Sequence, residues 1–73
     1  MSYRYFLLGD SVPVRVVFDA RGQKIGAETP DPRTGQLVAR VTLLSRLEQS
    51  YEVEEISETE FRRRCRLATN NRP

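Results

Sequence analysis

The feature that most constrains the fold is an alternating run of β-branched and aromatic residues in the first quarter of the chain. Val14, Val16 and Phe18 are separated by single residues of other kinds, and this period of two fits a pleated strand. Pro13 stands directly before the run, where a strand can begin. The pattern therefore predicts a strand with different side chains on its two faces.

Two further strands are predicted beside it. Residues 3–8 alternate in the same way and end at the break formed by residues 9–11. Residues 19–22 suit a type I turn in which Gly22 takes a positive φ, so residues 24–28 return antiparallel. The first strand carries two sets of side chains on opposite faces: Tyr3, Tyr5 and Leu7 on one, and Arg4, Phe6 and Leu8 on the other.

The middle of the chain allows two interpretations. Residues 29–35 contain two prolines and a glycine, which set either another turn or a flexible loop. In residues 37–47, five of the six odd-numbered residues are apolar, which favours a strand with a bend near Thr42. The alternative is a helix, although no N-cap residue precedes it. Such a helix would align four apolar side chains: Leu37, Val41, Leu44 and Leu47.

Residues 51–55 alternate again, and we predict that they form a hairpin with the strand at 37–47. Tyr51 and Val53 would then lie on the buried face. Opposite charges on facing strands stabilise such a pair. The residues expected to face one another are basic on one strand and acidic on the other: Arg40 and Arg46, with Glu52 and Glu54.

A C-terminal helix is predicted by two independent local signals. Ser57 is an N-cap whose partner Glu60 completes a capping box, and Ile56 with Phe61 forms a hydrophobic staple. The helix then carries an apolar stripe that should pack on the sheet. Its members are Phe61, Cys65 and Ala68, with Arg64 and Leu67 at the edge.

Size and composition exclude several classes of protein. The 73 residues predict one domain over residues 1–69 with a frayed tail at 70–73, and 19 are Leu, Ile, Val or Phe, too many for wholesale disorder. One cysteine and no histidine exclude an internal disulfide, the usual zinc sites and a Ser-His-Asp relay. We therefore expect no metal, no cofactor and no enzyme activity, and an inert Cys65.

Charge is arranged in blocks along the chain. Residues 1–47 hold seven basic and four acidic side chains, residues 48–60 hold six acidic and no basic ones, and residues 61–73 hold five arginines and no acid. Arginine suits bidentate contacts with phosphate, so nucleic-acid binding is one hypothesis. Its candidate residues are Arg62, Arg63, Arg66, Arg72, Arg21, Lys24 and Arg33.

The same charges have a purely structural interpretation. Acids at the start of a helix and cations after them complement the macrodipole and form favourable i,i+4 pairs. The expected pairs are Glu58 with Arg62 and Glu60 with Arg64. We favour this interpretation, which leaves nucleic-acid binding as the alternative function.

Sheet edges offer another route to function. A sheet with one helix leaves unpaired edges and a poorly covered face. In the predicted strand at 37–47, Val38 and Leu44 point to that face and would form an apolar patch with Val17 or Leu8. A basic partner could bind to the run of acidic residues formed by Glu52, Glu54, Glu55, Glu58 and Glu60. The candidate protein-binding residues are Val38, Leu44, Glu52, Glu54 and Glu55.

These patterns predict an α+β fold, an antiparallel meander of four or five strands with one C-terminal helix packed on it. The function they predict is a small non-enzymatic binding module that regulates or adapts a larger protein, through a strand edge and charged patches. A protein partner or a second copy is expected. Residues 1–9 lack the features of a signal peptide and no apolar run spans a membrane, so we predict a cytoplasmic protein.

Overall fold

A computed structural model describes residues 1–9 and 11–70, and in them the chain forms one five-stranded sheet and two helices. In chain order these are β1 (Ser2–Leu8), β2 (Val12–Phe18), β3 (Lys24–Pro30), β4 (Leu37–Ala39), α1 (Thr42–Gln49), β5 (Val53–Ile56) and α2 (Glu58–Asn70). The strand order is β4-β3-β2-β1-β5, and every neighbouring pair is antiparallel. The predicted α+β class is confirmed, but the prediction of one helix is wrong because α1 is also present.

The first three strands form the predicted meander, and its second turn is fixed by Asp19. One carboxylate oxygen of Asp19 accepts hydrogen bonds from the backbone N–H groups of Arg21 and Gln23, each 2.9 Å long. Gly22 has a φ of 83°, a left-handed conformation that glycine adopts without a steric penalty. The sequence prediction of a turn with a positive φ at Gly22 is therefore confirmed.

The loop between β3 and β4 is built in a similar way. The Asp31 carboxylate accepts a 2.8 Å hydrogen bond from the N–H of Arg33, and Gly35, at a φ of 78°, donates its N–H to the Asp31 carbonyl at 2.7 Å. A second backbone bond, from the Asp31 N–H to the Gln36 carbonyl, closes the loop at 2.8 Å. The predicted turn is confirmed over residues 31–35, but Thr29 and Pro30 belong to β3, which this loop joins to a β4 of only three residues.

The prediction of a strand over residues 37–47 is wrong beyond Ala39, because Thr42–Gln49 is helical. Val41, the N-cap residue of this helix, makes no side-chain capping hydrogen bond, as the sequence indicated, so capping does not explain the helix. Packing does: Leu43 is buried in the core, and Leu44 and Leu47 pack against the same cluster. Burial of these leucines outweighs the missing cap, as tertiary packing commonly does for short helices.

The main core lies between α1 and one face of the sheet. Leu8, Val14, Val16 and Ala27 come from the three central strands, and Leu43 comes from α1. Leu44 and Leu8 belong to this packed region, so they do not form the predicted open patch. Val38 is half-buried in β4, which contains neither Leu44 nor Leu8.

The opposite face of the sheet is covered by α2. Ser57 caps this helix, since its hydroxyl accepts the N–H of Glu60 at 3.1 Å. Phe61 is buried, and its ring lies 4.9 Å from that of Tyr5, measured between centroids. The predicted helix and its Ser57 cap are confirmed, but among the described residues the Glu60 carboxylate accepts from Arg63 and Arg64 and not from the Ser57 N–H, so the capping box is only half formed. The helix reaches Asn70, and the remaining positions of the predicted tail, 71–73, lie outside the described residues.

β5 does not pair with residues 37–47 as predicted. It pairs with β1, and α1 carries the chain from the β4 edge of the sheet to this other edge. Val53 is half-buried as expected, but Tyr51 precedes the strand and is fully exposed. The predicted contacts of Arg40 and Arg46 with this strand do not form for the same reason. Neither described helix has the length and apolar character needed to cross a membrane.

Candidate protein-binding site

β5 is an edge strand whose outward backbone groups have no partner among the described residues. The N–H of Gly9 donates to the carbonyl of Glu52 at 2.7 Å, so these two facing residues form a hydrogen-bonded pair at the end of the β1–β5 pairing. Hydrogen-bonded positions alternate in an antiparallel pair. The amide groups of Glu54 and Ile56 therefore face β1, and those of Val53 and Glu55 face away from the sheet.

The side chains along this edge are mostly acidic. The carboxylates of Glu52 and Glu54 are exposed, and within residues 1–9 and 11–70 they form no ion pair or hydrogen bond. Glu55 differs because Arg4 donates to it from Nε at 2.9 Å, and this contact lowers the pKa of the Glu55 carboxyl. Within the part of the chain that the structure describes, the edge therefore offers two uncompensated negative charges beside unpaired backbone groups.

The segment that leads into β5 is held in place locally. The Ser50 hydroxyl accepts the N–H of Glu52 at 3.1 Å, and the Ser50 N–H donates to the Arg46 carbonyl at 3.0 Å. Tyr51 lies between these bonded residues with its side chain completely exposed. A large aromatic side chain on an ordered backbone beside an open strand is suited to contact with a protein partner.

The structure brings together three of the five predicted protein-binding residues. Glu52, Glu54 and Glu55 follow one another on or beside β5, whereas Val38 lies on β4 at the other edge and Leu44 lies in α1. Sequence reasoning missed the exposed Tyr51 and the outward backbone of Val53. A signal for an edge was available, because several charged residues in a short strand are typical of an edge position.

The arginines of α2 are largely engaged by glutamates of the same helix. Arg62 donates to Glu58 at 2.6 Å, and Glu60 accepts from Arg63 at 2.9 and 3.0 Å and from Arg64 at 2.7 Å. Both predicted i,i+4 pairs are confirmed. Arg66 is exposed and has no side-chain partner among the described residues.

The other predicted nucleic-acid contacts lie elsewhere on the chain. Arg21 belongs to the turn between β2 and β3, and Arg33 to the loop between β3 and β4. Lys24 begins β3, where its ammonium lies 3.6 Å from the Glu48 carboxylate. Arg72 lies outside the described residues. The candidate cations are thus spread over one helix, one turn, one loop and one strand.

Comparison of the chain with protein-family models, with curated proteins and with solved structures finds no match. The functional proposal therefore rests on the geometry of the β5 edge and on the distribution of charge.

Glu60 should titrate at an unusually acid pH. Hydrogen bonds from Arg63 and then Arg64 lower the pKa of its carboxyl from 4.5 to about 2. A carboxyl whose pKa is depressed by folding stabilises the folded state above its unfolded pKa, and this contribution disappears as the pH falls through the folded value. We expect a carboxyl titration followed by NMR to give a midpoint near 2 for Glu60.

The same experiment has a direct control. In the double variant Arg63→Ala with Arg64→Ala, the Glu60 midpoint should return toward 4.5 because both donors are absent. A midpoint near 4.5 in the unmodified protein would show that these ion pairs do not persist in solution.

Cys65 lies on α2 and is half-buried. Burial raises the pKa of its thiol, although Arg15 acts in the opposite direction. Since the thiolate is the reactive form, this environment does not activate the sulfur at neutral pH.

Proposed function

We propose that the protein is a small non-enzymatic binding module that recognises a larger protein through the edge of β5. The partner contributes an extended basic segment, which adds to the sheet as a sixth strand. The observation that supports this most directly is the outward-facing backbone at Val53 and Glu55, beside the uncompensated carboxylates of Glu52 and Glu54.

Backbone pairing supplies affinity and charge supplies selectivity in this proposal. Each hydrogen bond to the edge contributes a net of about 0.5–1.5 kcal/mol, so the few bonds available at Val53 and Glu55 give a modest affinity. Complementary charge accelerates association and rejects the wrong partners. Two β5 edges of separate copies would place glutamates against glutamates, so the edge favours a basic partner over a second copy.

Amide hydrogen exchange can test the proposal at the two residues that matter. The probe is a synthetic ten-residue peptide in which valine alternates with lysine. We expect the N–H groups of Val53 and Glu55 to exchange more slowly when the peptide is bound, because each then donates a hydrogen bond. A peptide in which glutamate replaces every lysine should have no effect.

Two variants separate charge from backbone pairing. Glu54→Lys should weaken binding of the basic peptide about tenfold, since an attraction of up to about 1 kcal/mol becomes a repulsion. Glu48→Lys changes the net charge equally on α1 and should bind as the original protein does. Glu55→Pro removes an outward N–H without breaking the ladder to β1, and it should lose binding that Glu55→Gln retains.

The opposite results would reject the edge as the site. Unchanged exchange at Val53 and Glu55 with saturating peptide would do so, as would equal losses in Glu54→Lys and Glu48→Lys.

Nucleic-acid binding through α2 is the competing proposal. Its support is the exposed arginine series on that helix, and the ion pairs to Glu58 and Glu60 count against it because they already compensate most of those charges. A single-stranded oligonucleotide should therefore bind weakly. Tight binding that weakens steeply with salt, and that disappears when Arg62, Arg63 and Arg66 are changed to glutamate, would replace the β5 proposal.

A further inference from the structure

A groove of about 370 Å³ lies between α2 and the sheet, beside the loop that joins β3 to β4. Its apolar wall is formed by Tyr5, Leu37 and Phe61, which are buried or half-buried. Cys65 completes this wall from the helix. A groove of this size accommodates one or two side chains of a peptide.

Guanidinium groups line the same groove. Arg15 is half-buried and donates from Nε to Glu28 at 2.7 Å, and its guanidinium carbon lies 4.5 Å from the ring centroid of Tyr3. Arg62 is engaged by Glu58. Arg66 has neither a carboxylate nor a hydrogen-bond acceptor among the described residues. As far as the described residues show, the groove therefore combines an apolar wall with one uncompensated positive charge.

We propose that this groove binds a peptide segment of a partner protein in which a carboxylate neighbours an apolar side chain. The carboxylate pairs with the Arg66 guanidinium, and the apolar side chain packs against Phe61 and Leu37. A planar guanidinium can bind a carboxylate through two parallel hydrogen bonds. This site is separate from the proposed β5 edge, because none of its lining residues belongs to β5.

The charges of the groove favour such a peptide over a nucleic acid. Binding a polyphosphate backbone requires several free cations, whereas two of the three arginines here are already paired. Glu58 also lines the groove and repels additional negative charge. One carboxylate balances the one uncompensated guanidinium.

Cys65 is a built-in reporter for occupancy, because it is the only cysteine of the chain and it lines the groove. The probe is a capped eight-residue peptide with a central leucine-aspartate pair. The measurement is the rate at which iodoacetamide alkylates Cys65. At a peptide concentration about ten times its Kd, we expect this rate to fall about tenfold.

Three variants test the role of charge. Arg66→Glu should abolish protection of Cys65, and Arg66→Gln should reduce it strongly while introducing no repulsion. Arg40 is exposed directly after β4 and has no side-chain partner among the described residues. Arg40→Glu changes the net charge as much as Arg66→Glu and should leave protection unchanged. Circular dichroism establishes that each variant is folded.

Several results would overturn the proposal. One is unchanged alkylation at millimolar peptide, and another is equal protection by a peptide with asparagine in place of the aspartate. Equal loss of protection in Arg40→Glu and Arg66→Glu would do the same. Protection by a short oligonucleotide but not by the peptide would assign the groove to nucleic acid instead. None of these outcomes bears on the exchange of Val53 and Glu55, so the two proposals fail separately.

Discussion

Replacing Phe61 with alanine should lower the free energy of unfolding by about 3–5 kcal/mol, the usual cost of deleting a buried aromatic ring. Phe61 is 4% exposed and packs against Tyr5, so its ring attaches α2 to the sheet. For a domain of this length the total stability is about 4–11 kcal/mol, taking about 0.05–0.15 kcal/mol per residue. The substitution should therefore remove a large share of the total.

Urea unfolding followed by circular dichroism measures this loss. Leu67→Ala provides the matched control, because Leu67 lies on the same helix but is 50% exposed. That variant should lose much less, close to the range of about 0.5 kcal/mol that is typical of surface changes. Similar losses in the two variants would show that α2 does not depend on Phe61 for its attachment.

Arg46→Pro should destabilise the protein by about 3 kcal/mol, the second large effect that we expect. Arg46 lies in the interior of α1, where proline removes a helical hydrogen bond and its ring clashes with the carbonyl four residues earlier. The Arg46 side chain is exposed, so little packing is lost with it. The effect therefore reports the helical backbone of residues 42–49.

Arg46→Ala separates the backbone effect from the loss of the charge. Alanine has the highest helix propensity, so this variant should stay within about 0.5 kcal/mol of the original protein. If Arg46→Pro unfolded at the same urea concentration as Arg46→Ala, residues 42–49 would not be helical in solution.

The elements that the sequence predicted correctly are those determined by neighbouring residues. The cap at Ser57 and the turn at Gly22 depend on groups within a few positions, and both form as expected. The segment at 37–47 is different because strand and helix periods both fit its leucines. Whether this segment is a helix or a strand depends on the packing of Leu43 against a core formed by β1, β2 and β3. The pattern of neighbouring residues contains no information about that distant contact.

In the candidate site, too, the sequence predicts what neighbouring residues determine and does not predict contacts between distant parts of the chain. The glutamates at positions 52, 54 and 55 are visible in the sequence, and their role as candidate protein-binding residues was predicted. The identity of the neighbouring strand was not, because β5 pairs with β1, and the ion pair of Arg4 with Glu55 spans 51 positions. Because residues 42–49 form α1 and not the expected strand, residues 51–55 have no strand there with which to form the predicted hairpin.

The place of β1 inside the sheet also affects how the protein folds during synthesis. β1 is translated before the other four strands of the sheet, yet one of its two neighbours is β5, which is translated after β2, β3, β4 and α1. Domains tend to fold as units when their chain has been made. While the ribosome adds residues 19–52, the hairpin of β1 and β2 has one open side along Tyr5–Leu8. A nascent chain stalled before Val53 should therefore expose this side to chaperones.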